Sequence, residues 1–247
     1  MVDALGWRNR IGIVMPSTNT SVQPECDDLR LPGITNHIAR ISITERPLTS
    51  EQAFLEHVEA MRSGIGEAID QVMTCGPDHV IMGVALEAFW GGVATADALQ
   101  QELRERAGVG VSMGSTAMVA ALRAFGARKI AVLTPHQPRG DEMVRNYLEE
   151  AGFEVVRLKG LKCASPRLIA HTTADEIRSS YQELDGDDVD ALVQVGTNIG
   201  GMAVAAEAER WLRKPVLSMN MVTYWDALRQ LGVTDKIQGH GRLLEEY

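Results

Sequence analysis

The chain has 247 residues, a formal net charge of −9, 45% hydrophobic residues and 23% charged ones. With no basic stripe to offset it, that acidic balance argues against a nucleic-acid partner, and no apolar run approaches the ~18 residues of a membrane span. Residues 1–10 lack the apolar stretch and cleavage site of a secretory leader, so a cytoplasmic protein is expected.

In chain order, short β-branched runs alternate with longer segments of helical period. Strands are predicted at 10–16, 37–43, 79–85, 108–113, 129–135, 153–158, 191–195 and 215–219. Helices are predicted at 50–75, 92–107, 115–125, 140–151, 174–184, 200–212 and 222–231. The near-continuous apolar run Lys129-Ile-Ala-Val-Leu-Thr134 suits a parallel strand covered on both faces. Alternation of this kind predicts βαβ units in an α/β fold.

The chain also repeats itself. Arg10-Ile-Gly-Ile-Val-Met-Pro16 returns as Lys129-Ile-Ala-Val-Leu-Thr-Pro135, and Val111-Ser-Met113 with Ala121-Leu-Arg123 and Gly126 returns as Leu217-Ser-Met219 with Ala227-Leu-Arg229 and Gly232. Residues 80–84 and 192–196 occupy similar places. Hydrophobicity alone does not demand the repeated serine, arginine and glycine. Two pseudo-symmetric halves are therefore expected, 1–115 and 116–220, with 221–247 a helix and tail packing back on the first half. Their strand ends would face one cleft, where open α/β folds bind ligands.

Cys26, Cys75 and Cys163 are far apart and form no C-x-x-C pair, and the six histidines show no metal-ligand spacing. Neither a metal site nor a dithiol redox motif is expected from this spacing. The sharpest local feature is Met15-Pro-Ser-Thr-Asn-Thr20, directly after the first strand. Its hydroxyls, amide and N–H groups suit a carboxylate held by neutral donors. They equally suit a turn that caps its own backbone.

Pro16-Ser-Thr-Asn-Thr20 after Gly12-Ile-Val14 resembles the first loop of maleate isomerases. Val111–Ala117, Ala121–Gly126, Trp225–Arg229 and Gly239–Leu243 resemble segments of arylmalonate decarboxylases. These motifs span about 230 residues in the right order, and on them the chain resembles the aspartate/glutamate racemase superfamily, in the maleate isomerase and arylmalonate decarboxylase branch. The resemblance implies two flavodoxin-like halves, each a parallel sheet flanked by helices, with the active-site cleft between them. It implies cofactor-free isomerase or decarboxylase (lyase) chemistry on a small carboxylate or related carbonyl compound, and a homo-oligomer. A small-carboxylate-binding protein without catalysis, or a hydrolase, is the alternative.

The branch's chemistry uses cysteines, and this chain departs there. The resemblance puts Val84 at the first cysteine position and Gly196, or Thr197 one residue on, at the second. The oxyanion-hole hydroxyls map to Ala85 and Leu86, and a tyrosine maps to His136. Ser17, Thr18, Asn19, Val84, Ala85, Leu86, Gly196 and Asn198 are thus the expected substrate-binding residues. His136, after the fifth strand, suits a general acid/base, a carboxylate-binding cation or an exposed loop histidine. Thr197 is a candidate nucleophile with His136 as its base, and Asn198 is also a candidate helix cap. Glu87 fits either a base or a carboxylate favouring a helix start. Arg167 fits either a substrate carboxylate partner or a solvated surface residue.

Overall fold

A computed structural model describes residues 3–85 and 89–247. Leu86 and Glu87, both expected at the site, lie outside the described residues. Eight strands run β1 (Asn9–Pro16), β2 (Ile34–Ile41), β3 (His79–Met82), β4 (Gly110–Met113), β5 (Lys129–Thr134), β6 (Glu154–Gly160), β7 (Ala191–Gln194) and β8 (Val216–Ser218). Helices in the described residues are α1 (Val22–Asp28), α2 (Glu51–Met73), α3 (Gly92–Ala107), α4 (Gly114–Ala124), α5 (Pro138–Glu150), α6 (Ala174–Leu184), α7 (Met202–Leu212), α8 (Met219–Gln230) and α9 (Arg242–Glu246).

The strands form two parallel four-stranded sheets, ordered β2-β1-β3-β4 and β6-β5-β7-β8. The α/β fold expected from the sequence is therefore present, and the order repeats between the sheets. In each, the connections leave in opposite directions on the two sides of the central pair, β1/β3 or β5/β7. That reversal opens a crevice at the carboxyl ends of the central strands.

Local chemistry accounts for the elements. Ile11, Ile13, Val14 and Met15 of β1, and Ile130, Ala131, Val132 and Leu133 of β5, are fully buried, as strands covered on both faces require. Helix α2 starts at Ser50, whose Oγ accepts from Ala53 N (3.2 Å). Its buried stripe, Phe54, His57, Val58, Met61, Ile65, Ile69 and Val72, keeps the three-and-four spacing of one helix face. Helix α6 begins with a capping box between Thr173 and Glu176. Helix α8 crosses α4 and packs over β3 and β4 of the first sheet, so the chain's last long helix closes the half in which the chain began.

Some boundaries differ from the sequence expectation. β3 stops at Met82, because Gly83 turns out of the ladder after its N–H reaches Val14 O (2.7 Å). Helices α1 and α9, of seven and five residues, are too short to show a hydrophobic period. Among the described residues no helix is long and apolar enough to cross a membrane.

Each half uses the same device to start its first strand. Asp78 Oδ2 accepts from Arg10 N (2.8 Å), and Asp190 Oδ2 accepts from both Arg128 N (2.9 Å) and Lys129 N (2.8 Å). The two N–H groups hold the Asp190 carboxyl below its ordinary range. Its contribution is present above the unfolded carboxylate value near 3.8 and is lost as pH falls through the lower folded one. Asp190→Ala should lower stability by on the order of 1 kcal/mol at pH 7, with the deficit shrinking on acidification, measurable from urea midpoints at pH 7 and pH 3.5. An unchanged midpoint at pH 7 would remove this carboxylate from the strand start.

Candidate active site

Four strand ends converge on one cavity of about 70 Å³, room for a small molecule rather than a single water. Thr18 and Asn19 enter it after β1, Val84 and Ala85 after β3, Pro135 and His136 after β5, and Gly196, Thr197 and Asn198 after β7. Both halves therefore contribute their reversal points to the same space.

The loops are bonded to each other across the cleft. Asn19 Nδ2 donates to Thr197 Oγ1 (3.1 Å), while Asn19 Oδ1 accepts from Ser21 N and Val22 N at the start of α1 (2.9 and 3.0 Å). Asn198 Oδ1 accepts from Thr20 N (2.9 Å), its Nδ2 donates to Pro166 O (2.9 Å), and its carbonyl accepts from Ser21 Oγ (3.0 Å). Asn19 thus caps its own turn, one of the two readings of this loop, and also lines the cavity.

What remains unpaired defines the site's chemistry. The N–H groups of Gly196, Thr197 and Asn198 reach no protein oxygen among the described residues. Gly196 has φ +128°, and a Cβ there would sit 2.6 Å from the Pro135 ring. Glycine is therefore needed both for the backbone conformation and for the close approach to the β5 end. His136 is buried, and its Nε2 has no hydrogen-bond partner among the described residues. Burial pushes the imidazole down to about 3, with nearby His57 adding a smaller push the same way. His57 is itself lowered, first by burial and then by Arg46, against an opposing effect of Glu45.

Several expectations need correcting. His136 is neither an exposed loop residue nor a standing cation, because burial keeps it neutral at pH 7. Thr197 has no base: its hydroxyl donates to Gly83 O (3.1 Å) and accepts from Asn19, so its proton is already committed within the loop network. Ser17 is exposed and stands outside the cavity. Its Oγ both donates to Ile43 O (3.3 Å) and accepts from Ile43 N (2.9 Å), fastening the loop to the chain beyond β2. Arg167 begins a short 3-10 helix, Arg167–His171, with its side chain in solvent and 3.9 Å from Glu45. None of the three cysteines lines the cavity: Cys26 is buried in the core, Cys75 is exposed and Cys163 is half-buried. Among the described residues no three His, Cys, Asp or Glu side chains converge as metal ligands.

The sequence analysis missed the opposite wall. Leu48, His57, Met61, Pro166 and Ile169 line it, and Leu48 N donates to Ala164 O (2.8 Å), joining the two segments that form it. The one available signal was His57, a lone histidine on the apolar stripe of α2. Most such residues merely complete a core, so spacing alone did not mark it.

Two four-stranded sheets with matched reversal points, enclosing a cavity of neutral donors and a neutral imidazole, define a two-lobed α/β protein with its candidate site between the lobes. The arylmalonate decarboxylase family model matches residues 11–244, and the chain belongs to that family. A maleate isomerase of Nocardia farcinica (strain IFM 10152) is 26% identical over 245 residues, covering 96% of each chain. An arylmalonate decarboxylase of Bordetella bronchiseptica is 29% identical over 172 residues, 67% of this chain and 70% of that one. A solved Nocardia farcinica maleate cis-trans isomerase, a Cys-to-Ser mutant with a covalently bound succinylcysteine intermediate, superposes with a TM-score of 0.89. Its identity is 26%, over 97% of this chain and 99% of that one. The homologues are enzymes.

Two outcomes test this geometry. His136 stays neutral in the folded chain down to about pH 3, whereas an unfolded histidine takes a proton near 6.5. Its contribution to stability is thus present above 6.5 and lost as pH falls toward 3. His136→Phe should flatten the fall in urea midpoint between pH 7 and pH 4.5, and an identical fall in both proteins would show that the folded histidine titrates freely. Gly196→Ala should cost about 1–3 kcal/mol through its positive φ and disturb the Pro135 contact. A wild-type melting temperature in that variant would contradict the close approach.

Proposed function

We propose that the chain is a cofactor-independent enzyme that carries a small carboxylate through an enolate state, as an isomerase or a decarboxylase-type lyase, without a cysteine. The observation that carries this reading is the set of N–H groups at Gly196, Thr197 and Asn198 without a protein acceptor among the described residues, on residues that line one cavity together with the buried imidazole of His136. Donors fixed by the backbone stabilise charge that develops on a carboxylate oxygen without reorganising as it develops. The N–H groups of Val84 and Ala85, across the cavity, suit the same charge.

The proton chemistry falls to His136. Its imidazole accepts a proton from the substrate's α-carbon, leaving an imidazolium and an enediolate. Return of that proton to the other face, or to another carbon, gives an isomer. If carbon dioxide departs instead, the electron pair of the broken C–C bond forms the enediolate, and a proton from water by way of His136 completes the product. Burial lowers the basicity of His136, and a bound carboxylate nearby opposes that effect by favouring the imidazolium.

The opposite wall sets the kind of substrate. Among the described residues the lining carries no Lys, Arg, Asp, Glu or Cys, and Leu48, Met61 and Ile169 face the donors. The uncharged wall suits an apolar arm on the α-carbon: for proton transfer a 2-substituted monocarboxylate, and for decarboxylation a 2-substituted malonate, whose second carboxyl leaves as carbon dioxide while the first becomes the enediolate.

Proton NMR in deuterated water, with 2-substituted malonates, 2-aryl- and 2-alkylcarboxylates and maleate, tests the reading. The expected result is α-proton exchange or loss of carbon dioxide without added metal or cofactor. His136→Gln should then reduce turnover about a hundredfold or more while leaving binding of phenylacetate, a carboxylate with an apolar arm, nearly intact. Saturable binding with no exchange and no turnover across the panel would replace the enzyme by a carboxylate-binding protein.

A further inference from the structure

Behind the cavity lies a half-buried carboxyl group that the proposed chemistry does not use. Glu25 sits on α1 of the first half, yet both its acceptor oxygens serve the second half. Oε1 accepts from Met202 N, the first residue of α7 (2.9 Å), and Oε2 accepts from Asn220 Nδ2 on α8 (2.6 Å). The same Asn220 amide donates its other proton to Thr197 O (2.9 Å). Asn220 is buried, so the chain Glu25–Asn220–Thr197 runs through the interior.

The peptide linking Thr197 to Asn198 is what makes this chain consequential. A trans peptide is planar, with its C=O and the following N–H pointing in opposite directions. Holding the Thr197 carbonyl toward Asn220 therefore aims the Asn198 N–H away from Asn220. That N–H is one of the uncommitted donors of the cavity.

We propose that Glu25 is a positioning residue for the site, acting through Asn220 on the Thr197–Asn198 peptide to aim the Asn198 N–H. Its use as a carboxylate donor rests on the function proposed above; the aiming itself does not. An ionised Glu25 accepts from Asn220 and fixes the amide with its NH₂ toward Thr197 O. A protonated Glu25 becomes a donor on one oxygen, and donor faces donor unless the Asn220 amide turns over. Turning it presents Oδ1 to the Thr197 carbonyl, two acceptors face each other, and the peptide loses its anchor.

Burial raises the Glu25 carboxyl to about 7, opposed by its bonds from Met202 and Asn220 and reinforced by Asp28. The other groups facing it are Cys26 on its own helix and Tyr181 of α6, whose hydroxyl is buried and unpartnered. Asp28 lies 3.7 Å from His240. Among the described residues no cation contacts Glu25. The switch between the two arrangements therefore falls near neutrality, and the aimed form is the one above it.

The test uses the intact protein at two levels. In amide-resolved NMR of the wild type, the Asn198 N–H resonance should shift with pH along the same curve as the Glu25 carboxyl carbon, centred near 7. In Glu25→Gln, which keeps shape but places an NH₂ against Asn220, the step should vanish. Binding of phenylacetate at pH 8 should weaken about tenfold in Glu25→Gln, the loss of one well-placed donor. Asn220→Ala should weaken it similarly, and the double variant should lose no more than either single one. A wild-type Asn198 resonance that does not move with Glu25 would overturn the proposal, as would additive losses in the double variant or tighter binding in Glu25→Gln, the sign expected if Glu25 acted only by repelling an anion. Should phenylacetate not bind the wild type at all, the carboxylate reading falls, and the Asn198 titration alone still decides the positioning role.

Discussion

Asn19 and Asn198 hold the two halves together at the one place where both expose strand ends. Each side chain bonds to the other half and to a nearby backbone, so the loops that enclose the cavity are fixed by the same bonds that fix the halves against each other. Buried amides cost free energy unless they are paired, and here pairing requires the opposite lobe. Cleft geometry is thus a condition of polar satisfaction, and any chemistry in the cleft inherits its rigidity.

This arrangement leaves the site electrically quiet. The lining that holds the unpaired N–H groups also holds two imidazoles kept neutral mainly by burial. Fixed dipoles in such surroundings act more strongly on a developing charge than they would in water. The solved relative, a maleate cis-trans isomerase mutant, carries a covalently bound succinylcysteine intermediate. In this chain no cysteine lines the cavity among the described residues, and the strand ends there carry backbone N–H groups and His136. Similar lobes can present different reacting groups because fold and chemistry are set by different residues.

The half-buried carboxyl of Glu25 extends the same logic inward. It satisfies the first N–H of α7 and the amide of Asn220, two groups that would otherwise be costly, while lying on a helix of the opposite half. A group that completes the packing of the lobes is thereby in mechanical contact with a cavity peptide.

The strands, the two-fold repetition and the first loop were legible in the sequence, because apolar runs, the repeated Ser-Met and Ala-Leu-Arg segments, and Pro16–Thr20 are local patterns that burial and turn chemistry impose wherever they occur. The short helices α1 and α9, the apolar wall of Leu48, Met61 and Ile169, and the exclusion of Ser17 and Arg167 from the cavity were not, since each depends on which distant segment lies opposite. His136 shows the division best. The sequence places it at a strand end; only its enclosure by the other lobe removes the water that would have kept its charge and leaves Nε2 without a partner. Position along a strand follows from local chemistry, whereas protonation and free valence depend on the full three-dimensional surroundings.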